Sequence, residues 1–167
     1  IEKKAEEKLE KDYGKYIISV GSLTENKNHK LLINAFKILK EKYKISEKLL
    51  IAGEGKEREN LEKQIKELNL GNDVLLLGQK ENPYKYIKNS ELYILPSKAE
   101  GFSLTLVEAM CLKKMIVSTH NNGSEELVRE NKYGVLVENN ANEMAEKINY
   151  YLENKNERKK YEKLGLS

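Results

Sequence analysis

A chain of 167 residues, 39% hydrophobic and with a mean hydropathy of −0.71, has room for one core and one domain. Its 30 Lys and Arg nearly cancel its 27 Asp and Glu, leaving a formal net charge of +3 that fits an anionic ligand or a loose, weak contact with a membrane surface and selects neither. The lone cysteine, Cys111, excludes an internal disulfide, and no apolar run approaches the ~20 residues needed to span a bilayer. With the lysine-rich composition, this predicts a reducing, cytosolic compartment, peripheral to the inner face of the cell membrane if the surface contact is made. No nucleic-acid partner is expected. The opening Ile1-Glu2-Lys3-Lys4-Ala5 has no apolar run of a signal peptide, and the absence of an initiator Met predicts a piece of a longer chain.

In chain order, residues 1–13 read as a charged helix or helical leader, with 1–14 expected to be an interdomain segment. Residues 16–21 are a short apolar run closed by Gly21, the mark of a buried parallel strand. Residues 28–43 place Leu31, Leu32, Ala35, Phe36 and Leu39 at helical spacing. A strand at 49–53, a helix at 57–69, a strand at 74–78 and a short helix at 83–89 come next. The rhythm then repeats: strands at 92–96, 115–118 and 134–137, with helices at 104–112, 124–130, 141–153 and 155–164. About six strands with helices between nearly all of them predict an α/β domain, a doubly wound Rossmann-like parallel sheet. Ligands of such sheets bind beyond the carboxyl ends of the strands, so the loops after strands are the ones to examine.

The loop and helix at 96–110 carry two carboxylates eight residues apart, Glu100 before the helix and Glu108 within it. Between them the first helical turn offers backbone N–H groups at the positive end of a helix dipole, a ready phosphate site. On spacing alone, a solvated loop acid and an ordinary helix-surface acid explain the two glutamates equally well.

The set Glu100-Gly101-Phe102 followed by Glu108-Ala109-Met110 resembles the E-x7-E signature of glycosyltransferase family 4, the retaining group with the GT-B fold. Three further stretches match in the family's order: Val20-Gly21-Ser22-Leu23 with Lys27-Asn28, then Leu50-Ile51-Ala52-Gly53-Glu54-Gly55, then Leu77-Gly78 through Asn82-Pro83-Tyr84. The resemblance implies the C-terminal, donor-binding half of a GT-B fold, a single domain over 1–167, with the active cleft shared with an N-terminal domain. It implies a nucleoside diphosphate sugar as substrate, UDP-linked before GDP-linked, with no cofactor and no metal. It implies transfer with retention to a glycan or lipid-linked acceptor, in bacterial surface polysaccharide synthesis, and no activity for the chain alone. By the same resemblance Lys27 neutralises the diphosphate, Gly21 admits the backbone to it, and amides around Ser103, Leu104 and Thr105 cradle the distal phosphate. Glu108 accepts the ribose, Glu100 touches the transferred sugar, and Gln79-Lys80 lie along the base. Glu100 and Lys27 are the candidate catalytic pair. Loss of Glu100 is accordingly expected to leave binding of a free nucleoside diphosphate unchanged.

The chain departs from the pattern at Ser22, where many members carry an Arg, so Lys27 is left with more of the phosphate charge. Gly53-Glu54-Gly55 reads as a strand-to-helix turn with positive φ, since it has neither the third Gly of a dinucleotide fingerprint nor the GK[ST] ending of a P-loop. His29 is expected on the surface near a helix start, His120 as a structural residue after a strand, and Cys111 as a small buried helix residue. The alternatives left open are a non-catalytic nucleotide- or phosphate-binding module and a GT-B nucleotide-sugar epimerase.

Overall fold

The computed structural model describes all residues except Phe102, 129–132 and 164–167. Six strands, β1 (Tyr16–Val20), β2 (Lys48–Ala52), β3 (Val74–Gly78), β4 (Tyr93–Leu95), β5 (Ile116–Thr119) and β6 (Gly134–Val137), pair in parallel in the order β3-β2-β1-β4-β5-β6. The doubly wound sheet expected from the sequence is therefore present. Eight helices are described: α1 (Glu2–Ala5), α2 (His29–Glu41), α3 (Arg58–Glu67), α4 (Tyr84–Lys88), α5 (Leu104–Cys111), α6 (Asn122–Val128), α7 (Ala141–Glu153) and α8 (Lys155–Lys163).

Strand side chains alternate between faces, and the two cores follow that alternation. Ile17, Leu49, Ile51, Ile94 and Val117 point to one face and pack with Leu32, Phe36 and Leu39 of α2, Leu61 of α3 and Met144 and Ile148 of α7. Tyr16, Ile18, Leu50, Tyr93 and Ile116 point to the other and meet Tyr86 and Ile87 of α4 and Leu106 and Ala109 of α5. Burying each such large side chain stabilises the fold by about 1.5–3 kcal/mol. The apolar spacing of 28–43 thus becomes α2, with His29, Leu31, Leu32, Ile33, Ala35, Phe36 and Leu39 buried.

The strand order also positions the loops. From β1 the chain winds outward through β2 to β3, then crosses back to β4 on the other side of β1 and winds outward again. The direction reverses between β1 and β4, so the helices that follow those two strands, α2 and α5, pack on opposite faces of the sheet and a crevice lies at the strands' carboxyl ends.

Two expectations change. The leader is not a helix: only Glu2–Ala5 is helical. Tertiary contacts hold the rest of that segment. The Glu10 carboxylate accepts the hydroxyls of Tyr13 and Tyr86, the latter at 2.6 Å, and the Asn82 amide donates to the carbonyl of Lys4 at 2.9 Å. Those two tyrosine hydroxyls lower the pKa of Glu10 to about 2. A continuous helix over 1–13 would forgo these bonds, and an isolated helix of that length is marginal in water. The helix expected at 124–130 begins instead at Asn122, because Gly123 is drawn against the loop that carries Glu100, and its expected last residues lie outside the described ones. The same holds for residue 164 of the final helix.

Candidate functional site at the sheet switch point

Lys27 lies in the loop after β1 and Glu100 in the loop after β4, 73 residues away in sequence. The crevice brings them together: Lys27 Nζ donates to Glu100 Oε1 at 2.6 Å. Glu100 is 8% exposed at its side chain and Lys27 27%, so the pair sits at the mouth of the crevice with the carboxylate inward. The same Oε1 accepts the Ser97 hydroxyl at 2.8 Å. The main chain of Glu100 is fixed as well, its carbonyl accepting the Gly123 N–H at 3.0 Å. A Cβ on Gly123 would lie 2.7 Å from that carbonyl oxygen, so the start of α6 needs glycine to come this close. Ser97 is in turn anchored through its carbonyl, which accepts from Thr119 Oγ1 and, at 3.4 Å, from Asn121 Nδ2.

Helix α5 supplies the second carboxylate. Ser103 is its N-cap, and its hydroxyl accepts the Leu106 N–H at 3.2 Å. The N–H groups of Leu104 and Thr105 have no partner within the helix and remain at its positive end. Glu108 is buried, contrary to the reading of it as an ordinary helix-surface acid. Its Oε1 accepts the Tyr84 hydroxyl at 3.3 Å. Burial pushes its carboxyl pKa above the usual range, and the Tyr84 hydrogen bond offsets part of that.

At the carboxyl ends of β1 and β2 lies a pocket of about 250 Å³ that also reaches Thr105 of α5. Gly21, Ser22, Gln79, Lys80 and Thr105, all named from the sequence, line it with Val20, Ala52, Gly53 and Pro83. Lys27, Glu100, Gly101, Ser103, Leu104 and Glu108 stand outside its lining. Lys27 borders it, because a Cβ on Gly21 would meet the Lys27 Cδ at 3.7 Å. Two lining residues meet backbone to backbone: Gly53 has φ +153° and a Cβ there would lie 1.9 Å from the Gly21 carbonyl oxygen. The positive φ expected of the 53–55 turn is therefore real at Gly53, while Gly55 is required by contact, its Cβ position lying 2.4 Å from the Leu23 carbonyl oxygen. Lys80 Nζ sits over the Tyr86 ring, 5.8 Å from its centroid. Gly101 is exposed with open space where a Cβ would be, so sterics do not demand glycine there. Phe102 lies outside the described residues. A larger cleft of about 730 Å³ runs along α3 and the β3 edge and contains none of the residues named from the sequence.

His29 corrects its expectation. It is 2% exposed, with Nε2 3.3 Å from the Ser19 hydroxyl at the end of β1. The start of α2 is tucked against the sheet, which strips the ring of water. Burial, with the Lys27 charge adding to it, lowers the His29 pKa to about 4. Cys111 is half-buried and not fully enclosed. His120 is exposed, its Nδ1 3.0 Å from the Glu125 carboxylate. Among the described residues no three or more His, Cys, Asp or Glu are grouped to hold a metal ion, and no helix is long and apolar enough to cross a membrane. Sequence reasoning missed the roles of Ser97 and Gly123 around Glu100 and of Tyr84 beside Glu108. Tyr84 carried a signal, standing in the matched Asn82-Pro83-Tyr84 stretch, but no spacing rule links it to a residue 24 positions on.

Residues 1–165 match the family model described as glycosyl transferases group 1. Over 149 residues the chain is 43% identical to the N-acetylgalactosamine-N,N'-diacetylbacillosaminyl-diphospho-undecaprenol 4-alpha-N-acetylgalactosaminyltransferase of Campylobacter jejuni subsp. jejuni serotype O:2, covering 88% of this chain and 40% of that protein. Over 103 residues it is 36% identical to the poly(ribitol-phosphate) alpha-N-acetylglucosaminyltransferase of Staphylococcus aureus, covering 60% of this chain and 21% of that one. Its fold superposes with a TM-score of 0.83 and 29% identity on a mutant of S. aureus TarM crystallised with Fondaparinux, alpha-GlcNAc-glycerol and UDP, over 89% of this chain and 31% of that one. The chain thus spans well under half the length of these relatives. With its switch-point pocket, paired carboxylates and this family match over nearly its whole length, the chain belongs to the glycosyl transferases group 1.

Proposed function

We propose that this chain binds a nucleoside diphosphate sugar and that, with an N-terminal GT-B domain, the protein transfers the sugar with retention to a glycan or lipid-linked acceptor, as a member of glycosyltransferase family 4. The observation that carries the reading is one crevice at the sheet switch point that gathers the Lys27 ammonium, the free end of α5 and two carboxylates around the pocket lined by Gly21 and Thr105. Lys27 and the Leu104 and Thr105 N–H groups hold the diphosphate and take up the charge that develops on it as the glycosidic bond breaks. Glu108 accepts ribose hydroxyls. Its long hydrogen bond from Tyr84, the one side-chain bond it has among the described residues, leaves acceptor capacity for them. Glu100 orients the transferred sugar. Cation and helix end together serve the leaving group, and the reaction we propose uses no metal.

A UDP-linked N-acetylhexosamine is the first donor to test, ahead of a GDP-linked one. UDP is the nucleotide crystallised with S. aureus TarM, and the C. jejuni and S. aureus relatives are named as N-acetylhexosaminyltransferases. The acceptors in those names support a role in bacterial surface polysaccharide; a cytosolic site of action, at the inner face of the membrane, is part of the reading we propose. The deciding experiment is calorimetric titration with UDP, GDP and UMP. Tighter binding of UDP than of UMP supports the diphosphate site, and equal binding of the two rules it out.

A further inference from the structure

The loop after β1 and the loop after β4 are paired in register over three consecutive residues, although neither segment is a strand. Glu25 meets Lys98 at 3.4 Å, Asn26 meets Ala99, and Lys27 meets Glu100 at 2.6 Å, each pair 73 positions apart. The outer two pairs are ion pairs between side-chain ends. The middle one does not. Asn26 Nδ2 donates to the Ala99 carbonyl at 2.9 Å, and Asn26 Oδ1 accepts the Ala99 N–H at 3.2 Å. The Asn26 carbonyl accepts the Lys98 N–H at 2.9 Å. The Asn26 amide thus pairs with both backbone groups of one residue, as a neighbouring strand would, and this admits a single register. A slip by one residue would break both side-chain bonds and carry Lys27 away from Glu100. Helix and sheet cannot impose this alignment, because both segments lie outside them.

We propose that Asn26 is a positioning residue for the donor site: it fixes the β1–α2 loop against the β4–α5 loop so that Lys27 stands over the crevice where the diphosphate is bound. The proposal rests on the diphosphate reading of that crevice. Asn26 itself is exposed and touches no reacting group. Its effect is on the placement of a charge, and misplacement by about an ångström is enough to weaken such a contact.

The test measures UDP and UMP affinities by calorimetry on the full chain, for the native protein, Asn26→Ala and Lys27→Ala. Asn26→Ala keeps the main-chain bond to Lys98, so the loop stays attached and the melting temperature should stay near native. The expected result is about a tenfold loss of UDP affinity, ~1.4 kcal/mol, with UMP affinity within about twofold of native, so the UDP-to-UMP preference collapses. Asn26→Gln, which keeps the amide but displaces it by one methylene, is expected to lose less and serves if the alanine variant does not fold. If Asn26→Ala weakens UDP and UMP equally, or leaves UDP unchanged, while Lys27→Ala still removes the preference, Asn26 does not position Lys27 and the proposal falls alone. If Lys27→Ala also leaves the preference intact, the diphosphate reading falls and takes the proposal with it.

Discussion

Glu100 and Glu108 stand eight residues apart in one motif, yet the fold gives them opposite surroundings. Around Glu100 charge is matched and geometry over-determined: Lys27, Ser97 and the Gly123 N–H all hold it. Around Glu108 the carboxylate is buried with one hydroxyl, 3.3 Å away, and no cation within salt-bridge reach among the described residues. The first is a fixed point. The second is a desolvated acceptor with capacity to spare, and its raised pKa is the electrostatic record of that. The lesson is that a pair of identical residues in a motif acquires a division of labour from burial and partners alone.

The largest expected effect comes from placing a second positive charge beside Lys27, at the Glu100 end. His29 lies buried close to Lys27 and is kept neutral, its pKa lowered from 6.5 to about 4. The unfolded chain takes up the proton near pH 6.5 and the folded chain resists it, so the His29 contribution to stability is complete above pH 6.5 and lost as pH falls toward 4. Over that window the expected loss is about 3 kcal/mol. Glu108, with its pKa raised, has the opposite sign: its contribution is present in acid and lost as pH rises through the folded value, which offsets part of the slope. Urea denaturation at pH 7 and 4.5 should therefore show an acid loss that is much reduced in His29→Gln. An unchanged loss in that variant would remove His29 as its source.

The next effect tests the Glu108 end. Glu108→Ala should weaken UDP and UMP alike, tenfold to a hundredfold, because both carry the ribose and a charged hydrogen bond is worth ~1.5–3 kcal/mol. Native affinity should also fall on acidification sooner than an exposed glutamate would cause, and Glu108→Gln should abolish that dependence. Should the loss fall on UDP and spare UMP, Glu108 serves the phosphates and the two ends are not distinct.

The smallest effect sharpens the comparison. Resemblance alone implied that losing Glu100 leaves nucleoside diphosphate binding unchanged, but the ion pair with Lys27 alters that expectation. Glu100→Gln should free the lysine for phosphate and raise UDP affinity by about two- to fivefold, modest because the pair is partly solvated. UMP affinity should not move, and turnover in the assembled enzyme should fall. Weaker UDP binding would mean that Glu100 supports Lys27 and does not compete for it.

Much of the fold was legible in the sequence, for a definable reason. Buried parallel strands are short apolar runs and buried helix faces recur at 3.6 residues, so the elements, their alternation and the doubly wound class could be read from local pattern. The α2 stripe from Leu31 to Leu39 is an example. The leader shows where this stops: a helix-compatible, charged sequence at 1–13 is held in an irregular path by Tyr86 and Asn82, whose partners there lie 76 and 78 positions away. His29 shows the same for burial, since a polar residue at a helix start reads as surface unless one knows that the helix start is pressed on β1.

The sequence by itself determined the fold class, the positions of the loops after strands, and the residue types offered there: Lys27, Glu100, Glu108 and the Ser103 cap. Only the tertiary structure decided that Lys27 and Glu100 form a pair, that the Asn26 side chain bonds the Ala99 backbone beside them, and that Glu108 is desolvated beside Tyr84. The physical reason is that local pattern encodes which face of an element is buried, an interaction summed over many neighbours and insensitive to any one of them. Pairings across 73 residues depend on the crossing from β3 back to β4, and no short stretch of sequence encodes that crossing.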